Sequence, residues 1–250
     1  MPDRQELLLV RHGQSTANAR GVWQGQMEFP LSEEGRRQAS LAGQALAGTA
    51  YDAIYSSPLA RAYETAEIIA RESGFSGEVV PVRGLIERHG GVLEGHSWAK
   101  QEECNPAFAR KFLSLPEEER WAFAGAETDE EVMDRFEAAL DKIRSRHPEG
   151  ARIVVVSHGG SMRAFLRDRF GAGVLPGTHR AANASITRIA WGRNGTVPDL
   201  LSLASTEHLT GQSGPDTTRA EEPKTTRVRA NASLSVRATP ALDGSIYTLS

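Results

Sequence analysis

The chain has 250 residues, 39% apolar and 24% charged, which describes an enzyme-sized globular protein with one large domain and a sizeable core. Its formal net charge of −3 gives no global basic field for nucleic acid, so any anionic ligand must be drawn by locally placed arginines. Lone Cys104 excludes an internal disulfide framework, the apolar residues near the N-terminus are too few for a signal h-region, and no run approaches a membrane span, so a cytoplasmic protein is expected.

The first element is a strand. Leu7-Leu8-Leu9-Val10 breaks into Arg11-His12-Gly13, which reads as a buried strand delivering a cation and an imidazole to its carboxyl end. Ser32 stands as a helix N-cap with Glu33 and Glu34 in the first turn, and the helix should run towards Gly48. Ala53-Ile54-Tyr55 reads as a short strand. Ser57-Pro58 offers a capping hydroxyl and a proline at the first helical position, predicting a helix to about Ser73. Val79-Val80-Pro81-Val82 predicts the next strand. The segment 87–127 is irregular and carries Trp98, Phe108, Phe112, Trp121 and Phe123, as a helical insertion with its own mini-core over the mouth of a site would. Thr128-Asp129-Glu130-Glu131 has the spacing of a capping box and opens an amphipathic helix to about Arg146. Arg152-Ile153-Val154-Val155-Val156-Ser157 is a second buried strand, ending in His158-Gly159-Gly160. A helix from about Ser161 to Phe170 and a strand from Ser185 to Trp191 follow. This alternation predicts an α/β fold, a three-layer α/β/α sandwich with a mostly parallel central sheet and the insertion over the active site. The domain is expected to span 1–209. From Thr210 onward small polar residues dominate and cannot bury enough apolar surface to offset ordering, so 210–250 is expected to be a disordered tail.

Two strands that both end in histidine followed by glycine mark one sheet edge as an active-site address. Arg11-His12-Gly13-Gln14-Ser15-Thr16-Ala17-Asn18 resembles the signature of the histidine phosphatase superfamily, which includes cofactor-dependent phosphoglycerate mutases and the fructose-bisphosphatase domain. Four further stretches follow in that family's order. They are Pro30-Leu31-Ser32-Glu33-Glu34-Gly35, Ser56-Ser57-Pro58-Leu59-Ala60-Arg61-Ala62, Leu85-Ile86-Glu87-Arg88 with Glu94-Gly95, and Ser157-His158-Gly159-Gly160. The resemblance covers about residues 6–209.

Phosphoryl transfer asks a protein mainly for positioning and fixed positive charge, and Arg11 and Arg61 can supply planar forks matched to phosphate oxygens. Alone, Arg61 reads as a solvated helix residue or a partner of Glu64; its place in the first turn of a helix favours an anion site. His12 is the candidate nucleophile, because imidazole attacks in its neutral form and neighbouring guanidinium groups lower its pKa. The resemblance implies a phosphohistidine at His12, with His158 as second donor to the phosphoryl group. Glu87 beside Arg88 reads by itself as a salt-bridged surface glutamate; the resemblance makes it the proton donor, with a pKa raised by a nearby phosphate dianion. Asn18, Gln24, Gly25 and Gly159 match positions that hold the phosphate or its ester. His89, His96, His147, His179 and His208 lack such a setting and read as surface residues, His89 being the one closest to an exception.

Neither metal nor cofactor is expected: there is no His-Glu-x-x-His pattern, no P-loop, and the arginines would repel a cation. The expected activity is a metal-independent phosphomonoesterase acting on small phosphorylated metabolites, with no nucleic-acid or membrane partner and with a homodimer left open. The alternative is a cofactor-dependent phosphoglycerate mutase, favoured by Leu85-Ile86-Glu87-Arg88-His89 and Ser161-Met162-Arg163. Against it, Gly160 stands where mutases usually carry asparagine. The segment after Gly95, Gly125-Ala126-Glu127-Thr128, Asn183-Ala184-Ser185-Ile186-Thr187 and Glu207-His208-Leu209 also resemble the phosphatase branch. A third reading, an inactive phosphoester-binding module, is opposed by the presence of Arg11, His12, Arg61, Glu87 and His158 together.

Overall fold

The computed structural model describes residues 4–175, 181–191 and 198–210. In chain order the elements are β1 (Gln5–Arg11), α1 (Thr16–Ala19), α2 (Glu33–Leu46), β2 (Ala53–Ser56), α3 (Ala60–Ser73), β3 (Val79–Pro81), α4 (Trp98–Cys104), α5 (Pro106–Ser114), α6 (Glu117–Phe123), α7 (Asp129–Arg144), β4 (Arg152–Ser157), α8 (Gly159–Phe170), β5 (Ile186–Trp191) and β6 (Asp199–Ser205). One six-stranded sheet has the order β3-β2-β4-β1-β5-β6. Its first four strands are mutually parallel, whereas β5 and β6 pair antiparallel.

Alternation of side chains across the pleat explains why the two central strands read as unbroken apolar runs. Leu7, Leu9, Ile153 and Val155 point to one core with Phe136 of α7 and Phe165 of α8. Leu8, Val10, Val154 and Val156 point to the other, with Ala42 of α2 and Ala66 and Ile69 of α3. Both faces are therefore covered, and the expected three-layer α/β/α architecture is present.

Local capping chemistry sets two of the helix starts as expected. Ser32 Oγ accepts from Gly35 N at 3.0 Å, and Thr128 and Glu131 close a reciprocal capping box ahead of α7. The start of α3 differs. It begins at Ala60 with Leu59 at the N-cap and no side-chain cap; the Ser57 hydroxyl sits two residues earlier, where it accepts from Leu59 N at 3.3 Å and meets His158 Nε2 at 2.7 Å. The last strand, β6, was not expected; it is a half-exposed edge strand with irregular register against β5, so its pattern is weak.

The 87–127 insertion forms α4, α5 and α6 around a separate small core of Leu93, Phe112, Ala124 and Ala126, flanked by Trp23, Trp98, Phe108 and Trp121. Among the described residues no helix is long and apolar enough to cross a membrane. The expected tail lies, apart from Thr210, outside the described residues.

Candidate active site

Register brings the two histidines together. Arg11 is paired with Ser157 in the parallel β1/β4 ladder, so the next residue on each strand, His12 and His158, leaves the sheet at the same level. His12 N donates to Ser157 O at 2.9 Å, and the imidazole centroids are 5.0 Å apart. The turn after β1 is fixed by close backbone approach: a Cβ on Gly13 would overlap the Gly35 carbonyl at the start of α2, so neither glycine has room for a side chain. Gly13 N donates to Thr65 Oγ1 at 3.0 Å, and that hydroxyl donates to Arg61 O at 2.6 Å, tying the turn to α3. From the opposite side, Asn183 Nδ2 and Ala184 N both donate to His12 O.

The tautomer of His12 follows from one contact. Nδ1 lies 2.6 Å from Gly13 O, and a carbonyl can only accept, so Nδ1 carries the proton and Nε2 the lone pair. Burial pushes the His12 pKa well below its ordinary 6.5, and the neighbouring His158 ring and the Arg61 and Arg11 guanidinium groups push it further down by opposing a second positive charge. The arginines thus act in the expected direction, with burial as the larger cause. His158 is lowered well below 6.5 as well, by burial and then by Arg61, Arg11 and Arg135. Its Nε2 lies 2.7 Å from Ser57 Oγ, while its buried Nδ1 has no hydrogen-bond partner among the described residues.

A stability prediction follows from these two rings. Both are neutral in the folded protein and free to protonate once unfolded, so the unfolded chain binds more protons below its histidine pKa and folding stability falls as pH drops through about 6.5. Each ring should contribute a loss of about 1.4 kcal/mol per pH unit below that point. His208, also lowered by burial, acts in the same direction. Urea unfolding at pH 7.5, 6.5 and 5.5 should show a flat upper interval and a steep lower one; equal stability at 6.5 and 5.5 would contradict the assignment of neutral rings.

Arg61 is fully buried, and its fork donates to Gly25 O at 2.7 Å and Met27 O at 2.9 Å, holding the turn that follows Gln24. Glu64 pairs with Arg36 at 2.6 Å, so the alternative reading of Arg61 as its surface partner does not apply. Arg11 Nη1 donates to Ala181 O at 2.6 Å. Glu87 reaches the start of α8: Oε1 accepts from Arg88 N at 2.8 Å and Ser161 N at 2.9 Å, and Oε2 accepts from Gly160 N at 3.0 Å. The Arg88 guanidinium turns away to Glu127 O and Asp129 and lies 4.5 Å from the Trp121 ring centroid. Gly160 has a direct steric reason, since a Cβ there would sit 2.6 Å from Glu87 Oε1.

These groups surround a cavity of about 570 Å³ whose wall includes Arg11, His12, Asn18, Gln24, Gly25, Arg61 and Glu87. His158 is fully buried and off the wall. Gly159 is also off it and lies close to Arg11, its imagined Cβ 3.1 Å from Arg11 Nε; Gly160 takes the wall position. Asn18 Oδ1 accepts from Ser15 N and Asn183 Nδ2, both at 3.2 Å, and Gln24 Oε1 accepts from Ser15 Oγ at 2.7 Å. His89 is not on the wall, and His179 lies outside the described residues. Trp98, Phe112 and Trp121 belong both to the small core of the insertion and to the cavity wall.

Several residues of the site were not singled out from sequence. Ser57 and Asn183 lay inside recognised stretches but carried no local sign of their long-range partners. Glu117, Arg120 and Arg163 complete the wall from the insertion and α8. Arg163 alone had a readable signal, since it stands one helical turn after Gly160 on the same face. Among the described residues no group of three or more His, Cys, Asp and Glu side chains is placed to hold a metal ion.

Residues 7–203 match the model of the histidine phosphatase superfamily, branch 1. The chain is 40% identical over 164 residues to the metal-independent phosphoserine phosphatase of Arabidopsis thaliana, covering 65% of this chain and 68% of that protein. It is 37% identical over 170 residues to phosphoglycerate mutase-like protein 4 of the same plant, covering 65% and 70%. A phosphoserine phosphatase mutant from Entamoeba histolytica, solved in complex with phosphoserine, superposes with a TM-score of 0.65 at 28% identity, covering 82% of this chain and 99% of that one.

Proposed function

The chain belongs to the histidine phosphatase superfamily, branch 1, and on that premise we propose that it hydrolyses small phosphate monoesters through a phosphohistidine on His12, with phosphoserine as the leading substrate. Phosphatase activity agrees with the Arabidopsis and Entamoeba relatives. The observation that carries the reading is the imidazole itself: a buried His12 whose Nδ1 is occupied by Gly13 O offers its Nε2 lone pair to a cavity that Arg11 and Arg61 also line.

In the proposed cycle, Nε2 attacks phosphorus while the ester oxygen leaves, taking a proton from Glu87. The carboxylate so formed removes a proton from water, which attacks the phosphohistidine; phosphate departs and both His12 and protonated Glu87 are restored. Arg11, Arg61 and His158 Nδ1 would hold the equatorial oxygens as charge moves across them. Asn18, Gln24 and Gly25 would hold the ester side. Neither a metal nor an organic cofactor enters any step.

The second reading, mutase turnover, is favoured by the similarity to the phosphoglycerate mutase-like protein. One panel separates them. The full chain, treated with a chelator, is given phosphoserine, sugar phosphates, nucleoside monophosphates and 3-phosphoglycerate with 2,3-bisphosphoglycerate, and phosphate release is measured alongside acid-labile label on the protein. Release from a monoester with a trapped phosphohistidine is the expected result. Interconversion of phosphoglycerates without net release would favour the mutase, and binding with neither would leave only a phosphoester-binding module.

A further inference from the structure

The strand register that joins the two histidines also delivers a serine to the second of them. Ser56 of β2 pairs with Val156 of β4, and Ser57 N donates to Val156 O at 2.9 Å, so Ser57 leaves the sheet beside the strand end that carries His158. Both side chains are fully buried, and Ser57 Oγ lies 2.7 Å from His158 Nε2. A hydroxyl and an imidazole nitrogen can each give or take a proton across such a contact, and a second contact decides between them. Leu59 N donates to Ser57 Oγ at 3.3 Å, so the oxygen already accepts once and has a single proton to give. With Nε2 as donor, that buried hydroxyl proton would have no acceptor among the described residues. Ser57 therefore donates to Nε2. The His158 ring is neutral, its pKa held well below 6.5 by burial and then by Arg61, Arg11 and Arg135, and so carries its own proton on Nδ1. Nδ1 is buried without a hydrogen-bond partner among the described residues, in a ring 5.0 Å from that of His12. A buried N–H left open beside the nucleophile is a donor available to a ligand oxygen.

Resting on the phosphatase reading above, we propose that Ser57 is a positioning residue whose hydroxyl fixes the tautomer of His158, so that Nδ1 presents an N–H and not a lone pair to the phosphoryl oxygens. A lone pair aimed at an anionic oxygen repels it, whereas an N–H already in place meets the charge that develops there. Ser57 touches neither phosphorus nor the ester and acts through the ring. Its oxygen also receives the N–H of Leu59, the N-cap of the helix that carries Arg61, so a bracing role for α3 is the competing account of the same side chain.

Nitrogen NMR of the full chain with isotope-labelled histidine reads the tautomer without any substrate. Near neutral pH the His158 signals, identified by their absence in His158→Ala, should show a protonated Nδ1 and an unprotonated Nε2. Ser57→Ala should move them toward the other tautomer and slow phosphorylation of His12 about tenfold, less than the loss of about 10²–10³ expected for His158→Ala, with KM changed less than about threefold. Ser57→Thr, which retains the hydroxyl, should restore the tautomer and most of the rate. In the His158→Ala background, Ser57→Ala should cost less than about twofold more, because the ring it acts on is gone. A wild-type His158 protonated on Nε2, or one tautomer shared by wild type and Ser57→Ala, would overturn the proposal and leave the phosphatase standing. Losses that multiply in the double variant would make Ser57 a brace for α3 through Leu59 and overturn it as well. Absence of hydrolysis of any ester by the wild type would overturn the phosphatase reading itself, and the two labelled spectra would then decide alone whether Ser57 sets the ring.

Discussion

Replacing His12 with alanine should abolish phosphate release and the acid-labile phosphoenzyme together, a loss of about 10⁴- to 10⁶-fold. No other nucleophile in the site is as well placed. The ring of His158 is 5.0 Å away, but its Nε2 is engaged with Ser57 Oγ. Changing Arg11, Arg61 or His158 to alanine removes only a donor to developing charge, with an expected cost of about 10²–10³ in rate each. The measurement is single-turnover kinetics with acid quench, with thermal unfolding to establish that the buried substitution has not unfolded the domain. Near-normal activity in His12→Ala would remove the proposed mechanism entirely.

The difference between His12 and its neighbours also marks what the sequence could and could not tell. Strand β1 was readable because a strand covered on both faces must be apolar at every position, and the same holds for β4. Their register then follows from pairing, so two His-Gly strand ends become one site. Capping chemistry was equally readable at Ser32 and Thr128, where the hydroxyl serves its own helix. At Ser57 the same local rule misled: its hydroxyl lies two residues before the N-cap and meets a histidine 101 residues away, and α3 starts without a side-chain cap. Glu87 shows the opposite limit. Next to Arg88 it looks like half of a surface pair, yet Arg88 turns to Asp129 and Glu87 is met by main-chain N–H groups of a helix that begins about 70 residues later. Backbone donors have no residue letter, so only the family resemblance pointed there. Glu117 illustrates the same gap from the side of the insertion, where spacing along the chain gives no measure of which helix faces which.

The effect of Glu87→Gln should depend on the leaving group. Glutamine has the same shape but no acidic proton. Its carbonyl can keep the N–H groups of Arg88 and Ser161, while its amide then faces the Gly160 N–H that Oε2 accepts in the wild type. That donor–donor contact acts on every substrate alike, so it cannot by itself create a difference between esters. Proton delivery can. An alkyl phosphate such as phosphoserine leaves as a poor alkoxide, and phosphorylation of His12 should slow about 10²- to 10⁴-fold. A nitrophenyl ester leaves as a stabilised anion and needs no proton, so the same step should change little. The second half of the cycle still requires a base for water whatever the first substrate was. Given the aryl ester, the variant should therefore release a burst of nitrophenol equal to the enzyme present and then accumulate phosphohistidine, which rapid quench with labelled ester would detect. Equal slowing on alkyl and aryl esters, with no burst, would mean that Glu87 only fixes the start of α8 through Gly160 and Ser161, and that the proton comes from another group on the cavity wall.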